Sequence, residues 1–221
     1  MKKILILGGI REAAELARQL VDEGHDVTTS LAGRTKNPDK VSGKLRIGGF
    51  GGVEGLARHL EENAIDLLID CTHPFAREIS ANARQAASLA GTQLRVVERP
   101  PWQEQPGDCW NKVSSLEQAC KAIPAGACVL LALGSQHIAR FQTRRDVHFI
   151  VRMVDPPSTP LPLPDHELVL GKPAIDPQQE RALLTSKKVT HIVCRNSGGK
   201  GAYAKISAAR DLGLPVIMIE R

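Results

Sequence analysis

Four loops of this 221-residue chain carry the residues that could do chemistry. The first, Gly8-Gly9-Ile10-Arg11-Glu12-Ala13, follows an apolar run and opens a helical pattern. Glycines let a backbone approach a ligand closely, and a helix N-terminus offers unbonded N–H groups to a phosphate. The spacing G-x-G-x-x-G is absent, so the dinucleotide fingerprint is partial. A tight strand-to-helix turn is the other reading, but the place at the first βα junction favours phosphate contact. Further on, Ser30-Leu31-Ala32-Gly33-Arg34 ends the second apolar segment without an acid. A ribose 2′-hydroxyl calls for Asp or Glu there, whereas a 2′-phosphate calls for hydroxyls and an arginine. Ser30 and Arg34 therefore point to NADPH in preference to NADH.

The second loop, Gly48-Gly49-Phe50-Gly51-Gly52, spends four glycines in five residues. Close approach of a ligand near Gly49 is one reading, and a bare glycine turn is the other. Phe50 either flanks a flat ligand or packs as core. Thr72-His73-Pro74-Phe75 fits a helix start, with Thr72 as N-cap and Pro74 in the first turn. In a dinucleotide fold the same loop lies near the reactive ring of the cofactor, so His73 is also a candidate proton donor. The fourth loop is Arg195-Asn196-Ser197-Gly198-Gly199-Lys200-Gly201. Two cations, three glycines and a following helix compose an anion nest for a carboxylate or phosphate. It is no Walker loop, because the Lys-Ser/Thr pair is missing. Gly134-Ser135-Gln136-His137 lacks the spacing of a nucleophile elbow and reads as helix-cap and loop residues. No H-E-x-x-H or comparable cluster appears, so no metal is expected.

Strands alternating with helices must position these loops. Apolar runs mark strands at residues 3–7, 26–30, 45–47, 66–70 and 94–97, with helical faces between them at Ala13/Leu16/Ala17/Leu20, Val53/Leu56/Ala57/Leu60 and Ile79/Ala83/Ala86/Ala90. Alternation resumes with a helix at 116–123 and strands at 128–133, 147–151, 191–194 and 216–219. Helical faces fall at residues 181–184 and at Ala202/Ile206/Ala209. Near-continuous apolar strands mean a parallel sheet covered on both faces. The expected organisation is a Rossmann-like domain at 1–98, a connection at 99–110, and a second α/β domain at 111–221. Residues 155–177, with seven prolines, are expected to be an extended surface segment. Residues 66–99 and 191–221 echo each other as strand, polar loop, Ala-rich helix and Glu-Arg end. Two similar halves would face each other across a cleft, where open α/β sheets place ligands.

Composition excludes several classes. No apolar run approaches the roughly 20 residues of a membrane span. The apolar start is cut by Gly8-Gly9 and Arg11-Glu12, too short for a signal peptide, so a cytoplasmic address is expected. Five scattered cysteines form no Cys-x-x-Cys and read as reduced thiols. Aromatic residues make up 3%, which argues against stacking platforms for single-stranded nucleic acid. Net charge is +1 over residues 1–100 and +4 over 101–221. That modest basic excess suits a small anionic ligand rather than a polyanion, and no nucleic-acid partner is expected. No exposed apolar helix stripe stands out, and a monomer is expected.

Taken in order, Gly8-Gly9 with Glu12-Ala13, Ser30-Leu31-Ala32-Gly33-Arg34, Arg46-x-Gly48-Gly49-Phe50-Gly51-Gly52, Asp70-x-Thr72-His73-Pro74-Phe75-Ala76, Glu98-Arg99-Pro100-x-Trp102 and Asn196-Ser197-Gly198-Gly199 with Lys205 resemble the precorrin-6A reductase family over nearly the whole chain. The resemblance implies two α/β domains of Rossmann-like or flavodoxin-like type with the active site in the cleft between them. It also implies NAD(P)H-dependent reduction of one double bond of the precorrin-6A macrocycle, on the route to cobalamin. Ile10 stands where the family has Thr, and Arg195 where it more often has Lys, which keeps charge but changes geometry. Cofactor contacts are then expected from Gly8, Gly9, Ile10, Arg11, Glu12, Ser30, Gly33, Arg34, Gly49, Thr72, His73 and Pro74. Phe50, Arg195, Asn196, Ser197, Gly198, Gly199 and Lys200 are expected at an anionic polycarboxylate tetrapyrrole. The cobalt-containing, NADH-using branch shares these motifs and is one alternative. A nucleotide-sensing module without turnover is another. A short-chain sugar dehydrogenase would show Tyr-x-x-x-Lys, but Tyr203 is followed by Ala204-Lys205.

Overall fold

The computed structural model describes residues 1–33 and 40–221. The chain divides into two compact units, Met1–Arg99 and Pro100–Arg221. In the first, β1 (Lys3–Leu7), β2 (Asp26–Leu31), β3 (Lys44–Ile47), β4 (Leu67–Asp70) and β5 (Gln93–Val96) form a parallel sheet in the order β3-β2-β1-β4-β5. Helices α1 (Arg11–Asp22), α2 (Val53–Glu62) and α3 (Arg77–Leu89) supply the crossovers.

The period of two along β1 explains why both faces are covered. Ile4 and Ile6 pack with Ala13, Ala17 and Leu20 of α1, while Leu5 and Leu7 pack with Leu56, Leu60 and Ala83 of α2 and α3. Burying each such Leu or Ile stabilises by roughly 1.5–3 kcal/mol. Because all five strands run parallel, the loops after β1 to β4 emerge at one edge of the sheet. The order reverses between β1 and β4, which places the turns at Gly8 and Thr72 on the two sides of the switch point.

The second unit repeats the plan with six parallel strands. β6 (Trp110–Val113), β7 (Cys128–Ala132), β8 (His148–Met153), β9 (His166–Leu170), β10 (His191–Arg195) and β11 (Val216–Ile219) lie in the order β6-β11-β10-β7-β8-β9. Helices α4 (Leu116–Ala122), α5 (Pro177–Ser186) and α6 (Ala204–Asp211) cover it, with a 3₁₀ turn at Ser135–Phe141. Leu130, Ile150, Ile192, Cys194, Val216 and Met218 form one core with Leu184, Ile206 and Trp102. Its order reverses between β7 and β10, so the loops after Ala132 and Arg195 flank the second switch point.

Two edge strands escaped the sequence reading. β9 lies inside the proline-rich stretch taken as an extended surface segment, and it pairs in parallel with β8 from Phe149↔His166 to Met153↔Leu170. Its five residues fall between Pro164 and Pro173, so no ladder N–H is lost. β6 pairs with β11 at the other edge. Just before it, Trp102 is buried in the core of the second unit. No helix among the described residues is long and apolar enough to cross a membrane.

Candidate functional site

At the first switch point the Gly8–Ile10 turn is set by register. The Gly8 N–H donates to Ser30 O at 2.9 Å, and a Cβ on Gly8 would lie 3.0 Å from Thr29 Cγ2 and 3.2 Å from Leu31 Cδ2. Gly9 holds φ +136°, a conformation side chains resist, and faces open space. Ile10 is the N-cap of α1 and supplies no capping hydrogen bond. Among the described residues no acceptor takes the Arg11 and Glu12 N–H groups. Their orphaned dipole ends can meet an anion. Glu12 sits in that first turn, held by Arg99 Nη1 at 3.3 Å. Arg11 is spent on an exposed pair with Glu15 at 3.2 Å, a contact worth little.

Ser30 is buried at the end of β2, and its Oγ accepts from Arg46 Nη1 at 3.2 Å. Arg46 is the residue that the sequence reading passed over as a site residue. The register Ser30↔Arg46 brings it beside β2. Its guanidinium also donates to Gly48 O at 2.6 Å and Gly49 O at 2.7 Å, and lies 3.7 Å from the Phe50 ring centroid. Phe50 in turn meets His59 at 5.2 Å and packs against the core with Leu56 and Leu60. Burial and the adjacent Arg46 push the His59 imidazole below its ordinary range. Gly55 makes this turn possible, because a Cβ there would fall 1.7 Å from Phe50 O. Gly33 turns the chain at φ +75° with Ile47 Cγ2 3.0 Å from where its Cβ would be. Arg34 lies outside the described residues.

The loop after β4 differs from its expected form. Thr72 does not cap α3, and Pro74 is not in that helix, which begins at Arg77 with Ala76 as N-cap. The reason is Asp70. Its buried carboxylate accepts from the Thr72 hydroxyl at 2.7 Å and the Thr72 N–H at 3.1 Å, bending the chain into a separate turn closed by Ala76 N–H to His73 O at 2.7 Å. His73 Nδ1 accepts from the Phe75 N–H at 3.3 Å, an arrangement that assigns the proton of a neutral ring to Nε2.

At the second switch point the Arg195–Gly201 loop is anchored through its carbonyls. Arg221 donates to Asn196 O at 3.1 Å and Ser197 O at 3.0 Å, Trp102 Nε1 to Gly199 O at 2.7 Å, and Lys205 Nζ to Ala202 O at 2.7 Å. Gly198 and Gly199 hold φ +67° and +69°, and a Cβ on Gly198 would fall 2.2 Å from Pro100 O. Among the described residues nothing accepts the N–H groups of Gly199, Lys200 and Gly201. Lys200 is exposed beside them. Carbonyls turned inward and amides left over make a concavity for an anion. Asn196, expected as a ligand contact, is a buried clasp: Oδ1 accepts from Trp102 N–H at 2.7 Å and Nδ2 donates to Trp102 O at 3.1 Å. The Ser197 hydroxyl donates to Arg195 O at 3.2 Å. Gly134, not Ser135, is the N-cap of the 3₁₀ turn.

The precorrin-6x reductase CbiJ/CobK family profile matches residues 3–221. Precorrin-6A reductase of Rhodobacter capsulatus is 46% identical over 222 residues, covering 100% of this chain and 88% of that protein. Its counterpart from a Sinorhizobium species is 46% identical over 221 residues, covering 99% and 85%. Cobalt-precorrin-6A reductase of Priestia megaterium is 30% identical over 233 residues, covering 99% and 90%. Among solved structures, CobK precorrin-6A reductase superposes with a TM-score of 0.97 at 46% identity, covering 100% of this chain and 88% of that one. The chain belongs to the precorrin-6x reductase family, a family of oxidoreductases of cobalamin biosynthesis.

Proposed function

We propose that the chain reduces one double bond of the metal-free precorrin-6A macrocycle with NADPH, giving the dihydro product. The observation that carries this reading is the end-to-end likeness to precorrin-6A reductases, with lower identity to the cobalt-substrate branch. A nicotinamide cofactor follows from the reductase family, and the first unit fits one. The Gly8 cradle would be filled by a Cβ, and the α1 N-terminus has spare N–H groups. At the end of β2 stand the Ser30 hydroxyl and the Arg46 guanidinium, and neither is an acid. That pair suits a 2′-phosphate and supports NADPH over NADH. When bound, this cofactor supplies a hydride.

The protein's own part is placement. Gly9 and Ile10 let the pyrophosphate approach, and the turn of Gly48 and Gly49, held by Arg46, shapes the wall beside Ser30. His73, its Nδ1 occupied by the Phe75 N–H, presents Nε2–H as a hydrogen-bond donor near the switch point, where it can orient the substrate. In the second unit the N–H groups of Gly199, Lys200 and Gly201, with the Lys200 and Arg195 cations, receive a carboxylate of the macrocycle. Fluorescence titration of the nicotinamide tests the cofactor, followed by turnover of precorrin-6A read as loss of reduced-nucleotide absorbance. NADPH binding with turnover supports the reading. Binding of neither NADPH nor NADH, with no turnover, refutes it.

A further inference from the structure

Lys205 is the buried cation that the proposed chemistry leaves unused. It is 4% exposed on the first turn of α6, a turn that holds no acidic residue. A positive charge there opposes the helix dipole, and burying an ammonium without an ion pair is expensive. The other buried cation of this unit, Arg152, meets Glu180 at 2.9 Å. Among the described residues Lys205 has no carboxylate in ion-pair range. Its contacts are Ala202 O at 2.7 Å and the Trp102 ring at 5.0 Å. An apolar side chain on Trp102 would cost less, so the ammonium needs another account.

Ala202 closes the glycine turn, and its carbonyl is the last of four held inward. Trp102 serves twice, carrying Lys205 on its ring and holding Gly199 O through Nε1. We propose that Lys205 is a positioning residue: by holding Ala202 O inward beside Trp102, it keeps the Gly199–Gly201 N–H groups available to a substrate carboxylate and sets a buried positive charge beneath them. This rests on the reading of that loop as a substrate site. Burial pushes the Lys205 ammonium below the usual lysine range, with the neighbouring Arg152 acting the same way and Cys194 and Glu180 opposing. An anion in the nest is the counter-charge that relieves this.

Lys205→Met and Lys205→Gln separate charge from hydrogen bonding, with Lys200→Met as the test of the loop itself. Initial rates with precorrin-6A, NADPH affinity and thermal melting are measured on each intact protein. For Lys205→Met, KM for precorrin-6A rises about tenfold or more, kcat stays within about threefold, and NADPH affinity and melting temperature hold or the latter rises. Lys205→Gln, a donor without charge, falls between Met and wild type. A purely structural role would instead lower melting and reduce kcat with KM unchanged, and that outcome overturns the inference. So does an unchanged KM in folded Lys205→Met and Lys205→Gln when Lys200→Met does raise KM. If Lys200→Met and both Lys205 variants all leave KM unchanged, the substrate reading of the loop falls and this inference with it.

Discussion

The two switch-point turns do a similar job by different means. The Gly8–Ile10 turn is fixed by its backbone. Strand register fixes it through Gly8 N–H to Ser30 O, glycine lets it pass Thr29, and a carboxylate, Glu12, stands in the helix's first turn under Arg99. The Arg195–Ala202 turn is held by side chains. Trp102, Lys205 and Arg221 grip its carbonyls, and no acid stands in the first turn of α6. The first turn presents a small opening whose charge is balanced, which suits the backbone approach of a nucleotide. The second presents amides and cations in excess, which suits an anion that brings its own charge. Glycine geometry should therefore govern the first unit's site, and the gripping side chains the second's.

The largest effect is expected where a side chain has no room at all. Gly55→Ala would put a Cβ 1.7 Å from Phe50 O, so α2 must part from the glycine turn. Melting should fall by about 10 °C or more, with NADPH affinity reduced in parallel. Gly198→Ala meets Pro100 O at 2.2 Å and must also hold φ +67°. It should raise KM for precorrin-6A by about tenfold or more while leaving NADPH affinity near wild type, which steady-state kinetics and fluorescence titration separate. If both variants weaken nucleotide and substrate equally, the division of labour between the turns is wrong. A smaller change follows from Arg46→Met, which keeps contact with Phe50 but gives up the donors to Ser30, Gly48 and Gly49. NADPH affinity should drop by about tenfold and NADH affinity by less than about threefold. Equal losses for both nucleotides would make Arg46 a scaffold for the turn and remove its part in choosing NADPH.

What the sequence made legible follows a line between residue type and tertiary partner. β1, β10 and β11 are buried on both faces, so their apolar runs stand out, and Val216–Ile219 matches the expected range. Edge strands pair on one side only, and Trp110–Val113 and His166–Leu170 mix polar with apolar residues. They therefore read as loop. The Gly8 turn was legible because two glycines between an apolar run and a helical pattern mark it by residue type alone. Arg46 was not, since its role depends on a register with Ser30 that only the sheet provides. Asn196 looked like a ligand contact because a polar residue leading into a glycine-rich loop usually faces solvent, but its partner Trp102 lies 94 residues away. Thr72 and Pro74 fit a helix start by type, until the Asp70 carboxylate took the hydroxyl that would have capped it.

The smallest expected effect concerns two buried thiols that sample the two electrostatic settings. Cys71, directly after β4, is fully buried and pushed up to about 11, first by burial and then by Glu12 and Asp70, with Arg99 and Arg95 opposing. Cys194, beside Lys205, is also raised by burial, but there the neighbouring cation opposes. A folded-state value above the unfolded one means that the unfolded chain releases its proton first. The Cys71 contribution to stability is therefore intact below about pH 9 and is lost as pH rises towards about 11. Melting temperature should fall over that window by a few degrees more in wild type than in Cys71→Ala. Thiol labelling at neutral pH should modify exposed Cys109 first and reach Cys71 and Cys194 only on unfolding. Identical alkaline slopes for wild type and Cys71→Ala would show that burial, with Glu12 and Asp70 beside it, does not hold the Cys71 thiol protonated in the folded chain.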